Sequence, residues 1–146
     1  MAASTASFQV ARALSGIWLV STCMSALAGS VIVVNEPPWH AVRGNLQQLG
    51  EAQMWISIAA CVGLLVISRK KHSETEQAWA QGALLIYVLG GLLSVLVLNF
   101  GALPKFFVQS NNTLAQMQVV MCMLLHGLCA CLTLRSLRKH GRSTSV

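Results

Sequence analysis

Residues 121–132, "MCMLLHGLCACL", place two methionines, one histidine and three cysteines within twelve positions. Thiolate and thioether sulfur select soft metals such as Cu(I), and imidazole suits copper and zinc, so these residue types could form a soft-metal site. On a helix, which turns about 100° per residue, Cys122, His126 and Cys129 share one narrow wedge. Gln118 and Thr133 lie one turn beyond its ends, giving a polar stripe Gln118–Cys122–His126–Cys129–Thr133. Met121 and Met123 flank the stripe, and Cys131 points to the opposite side. Three ligands on one helix lie along a line rather than around a point. A closed metal site would therefore need donors from elsewhere, such as Cys23, Met24 or Cys61. A bis-histidine haem lacks its second histidine at this depth. The stripe is thus a candidate polar site with no metal, cofactor or catalytic assignment.

His126 carries two readings. An ionisable residue inside a membrane is a functional candidate by default. Alternatively, it is a neutral histidine bonded across helices to Ser94, Ser57 or Asn99, which fixes packing.

The elements that must position this stripe follow from composition. The chain of 146 residues is 55% hydrophobic and 10% charged, with no aspartate, against roughly 25% charged in soluble domains. Four apolar segments stand out at 13–34, 52–68, 78–103 and 113–134. Each reaches the ~17–25 residues that cross a bilayer as a helix, and in lipid a helix satisfies its own backbone. The first is too long for a signal-peptide core and is taken as a span. Expected is a single all-α domain, an integral membrane, multi-pass, up-down four-helix bundle.

Ser73 followed by Glu76 predicts a capping box at the start of the third helix. Pro37 and Pro38 are expected to stop the first. Trp39, Trp55, Phe106 and Phe107 are placed like an interfacial aromatic belt.

The net charge of +6 is clustered beside the apolar segments, with no basic face carrying interleaved aromatics, so no nucleic-acid partner is expected. Arg69, Lys70 and Lys71, the tail residues Arg135, Arg138, Lys139 and Arg142, and Arg12 fall on one side; Arg43 and Lys105 fall on the other. By the positive-inside rule both termini are cytoplasmic. The opposite side then carries an outer loop in which Glu36, His40, Arg43 and Glu51 could converge as a candidate site.

Small residues at spacing four let membrane helices approach closely. The candidates are Ser21, Ser25 and Gly29, then Gly90 and Ser94, then Gly127 with Cys131. The five cysteines include no CxxC pair and lie inside apolar runs, which argues against thiol–disulfide chemistry. Arg43, Asn45 and Glu51 do not have the spacing of the motif of glutathione-dependent four-helix membrane enzymes. With no paired carboxylates and no nucleophile–base pair, an enzyme ranks last.

Several of these residues resemble one family. "LSGIW" (14–18), Gly29, Pro37 and His40, then Asn99 and Pro104, then "HGL" (126–128) resemble elements of the transmembrane protein 205-like family, a four-helix membrane domain of unknown function. The resemblance implies an integral membrane four-helix protein without an agreed enzymatic activity. The expected function is therefore that of a non-enzymatic membrane protein. It would act as an accessory or structural subunit against partner helices, or as a homo-oligomer in the lipid bilayer. The alternative is soft-metal or small-molecule transport using the stripe.

Overall fold

Prolines and the ends of apolar runs divide the chain into helices. The computed structural model describes residues 2–35, 38–69, 83–109 and 112–143. Helix α1 runs Ala2–Asn35 and α2 runs Trp39–Arg69. Pro38 cannot donate, but its carbonyl accepts the N–H groups of Ala41 and Val42 at 3.0 and 3.2 Å, and so starts α2. Helix α3 spans Ala83–Val97, a π turn spans Leu98–Ala102, and α4 spans Leu103–Val108. Helix α5 spans Thr113–Ser143. Glu36, Pro37, Lys70, Lys71 and the Ser73–Glu76 cap lie outside the described residues.

Two stretches outside or at the edge of the apolar segments are helical. The segment 39–51 is the first part of α2, and 103–108 is α4. Hydropathy reports polarity rather than backbone conformation. After Pro38, the segment "WHAVRGNLQQLGE" contains no proline, and Gln47 Nε2 donates to Glu51 Oε1 one turn on (3.2 Å). The π turn has a local cause in Pro104. Its ring would clash with the carbonyl four residues back and it offers no N–H. Leu103 instead bonds to Leu98, five residues back, and the chain remains helical through the break.

Among the described residues four helices, counting α3 with its continuation, are long and apolar enough to cross a membrane: Ala6–Asn35, Trp39–Ser68, Leu84–Val108 and Thr113–Arg138. They pack in a ring, with α1 and α3 each lying against α2 and α5. Contacts fix alternating directions. Gly29 faces Leu46 and Leu49 while Gly63 faces Leu14, so α1 and α2 run antiparallel. Large apolar residues such as Ile17, Met24, Trp55, Ile86, Leu93 and Leu124 are exposed around the outside. The centre holds Trp18, Ala60, Cys61, Leu64, Val88, Cys129 and Ala130.

Candidate functional site

At the centre of the bundle His126, on α5, is 2% exposed and is held from all three other spanning helices. Trp18 on α1 donates its indole N–H to His126 Nε2 at 2.9 Å, with the rings edge-on at 64°. Ser57 on α2 lies 3.0 Å from the same nitrogen, and the Gly91 carbonyl on α3 lies 2.9 Å from Nδ1. These partners assign the tautomer. An indole N–H only donates, so Nε2 accepts; a carbonyl only accepts, so Nδ1 carries the hydrogen. An imidazolium would bring two N–H groups face to face, so the ring is neutral.

The remaining hydrogens follow from this assignment. Ser94 donates to the Gly91 carbonyl (2.8 Å) and leaves its oxygen 3.2 Å from Nδ1, so the Nδ1–H is shared between the two. Ser57 Oγ, 3.0 Å from Nε2, shares that nitrogen's single lone pair with the Trp18 N–H and accepts from Gln53 Nε2 at 3.1 Å. The second amide hydrogen of Gln53 goes to Thr22 Oγ1 at 3.0 Å, and Thr22 donates to its own helix at the Trp18 carbonyl. Gln53 Oε1 accepts from Ser25 at 2.9 Å. Ser15 and Thr133 are also buried, and each bonds a backbone carbonyl of its own helix. All buried polar side chains among the described residues are therefore partnered, as burial requires.

Gly91 permits this arrangement. A methyl group built there would overlap Cζ2 and Cη2 of Trp18, so only glycine lets the indole cross the bundle and reach His126. A methyl group built on Gly90, a residue expected to pack, would meet Cys129 Sγ at 3.3 Å. The other small residues also meet neighbours. Ser25 reaches Gln53 on α2, and a methyl group built on Gly127 would meet Thr22 at 3.8 Å, whereas Ser21 bonds the Trp18 carbonyl of its own helix.

The stripe on α5 differs from its expected form at one end, because Gln118 is exposed. A helix centred on His126 turns residue 118 about 80° away. The inward row is instead Ala115, Cys122, His126, Cys129 with Ala130, Thr133 and Leu137, in which Cys122 is half-buried. Cys23 and Cys131 are exposed and Cys61 is buried. No group of three or more His, Cys, Asp or Glu side chains is placed to hold a metal among the described residues. Both imidazole nitrogens are already engaged.

The expected outer-loop site is also rearranged. Arg43 and Glu51 stand two turns apart on α2, about 12 Å along its axis. Both line a cleft of about 430 Å³ with Gln47, Trp55, Asn99 and Phe107. The Arg43 guanidinium lies 5.6 Å from the Phe107 ring centre, while Glu51 is bonded to Gln47. His40 is exposed and does not line the cleft, and Glu36 is outside the described residues. Asn99, expected as a partner of His126, bonds the Val95 carbonyl of its own helix. Trp39 packs edge-on against Phe106 at the same end of the bundle.

Sequence reasoning did not identify Trp18, Gly91, Gln53 or Thr22 as parts of this centre. The signal was present only in part, in "LSGIW" and the Gly-Gly pair at 90–91. The chain matches no family model, no curated protein and no solved structure.

Proposed function

We propose that this chain is a non-enzymatic, multi-pass membrane protein whose His126 network is a structural clasp. On this reading it acts as an accessory subunit against partner helices or as a homo-oligomer. The observation that carries the reading is the closure of His126. Each ring nitrogen is taken by groups from the neighbouring helices, so none is left to relay protons or bind a metal. With the polar groups consumed internally, the outer apolar faces of the helices are what remains for association.

Both termini face the cytoplasm in this proposal, supported by the exposed Arg12, Arg135 and Arg138 at one end of the bundle. A His140→Cys variant should react with a membrane-impermeant maleimide only after permeabilisation. Equal labelling of intact cells, above the background from the native cysteines, would reverse the topology.

The association reading is tested by gentle detergent extraction of the tagged chain from its native membrane. It should elute in fixed ratio with another subunit or with further copies of itself. Elution as a lone monomer at all detergent concentrations would refute it. The alternative of small-molecule handling is favoured by a separate observation, an apolar cavity beside the clasp.

A further inference from the structure

That cavity is lined by residues of all four spanning helices and has a volume of about 420 Å³, within the 300–1,000 Å³ typical of small-molecule pockets. Its walls are apolar, formed by Leu46, Leu49, Leu98, Val119 and Met123. Val33, Val34 and Val120 line it and are exposed on the outside of the bundle. Its mouth therefore opens between α1 and α5 on the apolar outer face of the bundle.

The floor is different in kind, because Ser25 and Gln53 lie there. Gln53 is 5% exposed, and the direction of the clasp's hydrogen bonds determines what it offers. Both of its amide hydrogens are spent on Thr22 and Ser57, while Oε1 accepts only the Ser25 hydroxyl. Ser25 gives its single hydrogen to Gln53 and accepts none. The floor thus presents open lone pairs and no open donor. Among the described residues no cationic side chain lines the cavity, which disfavours an ionised carboxylate or phosphate head. A hydrocarbon would fill the walls but leave the floor's remaining lone pairs unused, and water would have to enter through an apolar mouth to occupy a largely apolar space.

We propose that this cavity binds a lipophile bearing a single hydroxyl group, of the long-chain alcohol class. The hydroxyl donates to Ser25 Oγ or Gln53 Oε1, and the hydrocarbon lies along the walls toward the mouth. The site does not depend on the accessory-subunit reading, since either can fail while the other holds.

The test uses the full chain in phosphatidylcholine nanodiscs and two photoprobes, an octanol carrying an aliphatic diazirine and its methyl ether. The alcohol should form adducts on Leu46, Val120 or Met123, competed by excess octanol. The ether should label about fivefold less, as expected for loss of roughly one hydrogen bond. Val119→Trp, which fills the cavity, should abolish the competed labelling at an unchanged thermal midpoint; Gly29→Leu serves if the first variant does not fold. Equal labelling by alcohol and ether overturns the proposal. So does labelling that survives the filled cavity, or that falls as strongly on the outward-facing Ile17 and Ile86.

Discussion

Gly91→Ala should lower the thermal midpoint of the detergent-solubilised protein by about 4–8 °C, taking about 2–4 °C per kcal/mol for a chain of this size. The added methyl group overlaps the Trp18 ring, and forcing extra volume into a filled core costs about 1–3 kcal/mol. The indole cannot withdraw without leaving its N–H unpaired, at about 1–3 kcal/mol. Against this, alanine in place of glycine favours a helix by about 1 kcal/mol. The net loss is about 2 kcal/mol. Gly127→Ala and Gly29→Ala should be neutral or slightly stabilising, because their methyl groups would meet Thr22 at 3.8 Å and Leu46 and Leu49 at 3.7 Å, ordinary contacts. A double-mutant cycle with Trp18→Phe isolates the cause, since phenylalanine lacks the overlapping ring. The pair should be less destabilised than the sum by about 1–2 kcal/mol. Additive losses would place the cost elsewhere.

His126→Leu should be at least as damaging. Interhelical hydrogen bonds in membranes average about 0.6 kcal/mol, so losing three helix-bridging partners costs about 2 kcal/mol. The orphaned Trp18 N–H adds to this because it faces a dry interior. Ser57 can rotate its hydroxyl and Gly91 keeps the Ser94 bond, so the indole is the group without relief. Adding Trp18→Phe to His126→Leu should therefore recover stability, as removing both partners of a buried bond is often near neutral. Cys122→Ser, one turn away and half-buried, should leave the midpoint unchanged. Thermal unfolding of the three variants in one detergent checks the set. A His126→Leu protein as stable as wild type would mean that the clasp does not hold the bundle.

The helical class and the four long apolar segments were legible because they depend on runs of residue type, which hydropathy measures directly. The inward placement of His126 was legible from its isolation among apolar neighbours, and Ser57 and Ser94 stood out as polar residues in adjacent spans. Trp18 was not, because tryptophan reads as apolar or interfacial and its partner is 108 positions away. Gly90 and Gly91 differ by one 100° step, and only the surrounding helices decide which of them faces the indole. Gln118 lies at the edge of the stripe, where a small rotation separates inside from outside. The helical start of α2 and the π turn were hidden for another reason. The first is polar yet helical, and the second is a backbone response to Pro104 with little side-chain signature.

The central claim is that His126 is a neutral, fully engaged clasp with its hydrogen on Nδ1. Nitrogen NMR of the full chain labelled with ¹⁵N-histidine, assigned by His126→Leu, reads this directly in lipid nanodiscs. The account predicts one neutral ring with a protonated Nδ1 and an unprotonated Nε2, unchanged on adding Cu(I) or Zn(II). A hydrogen on Nε2, a doubly protonated ring, or a metal-induced change in either nitrogen would contradict it.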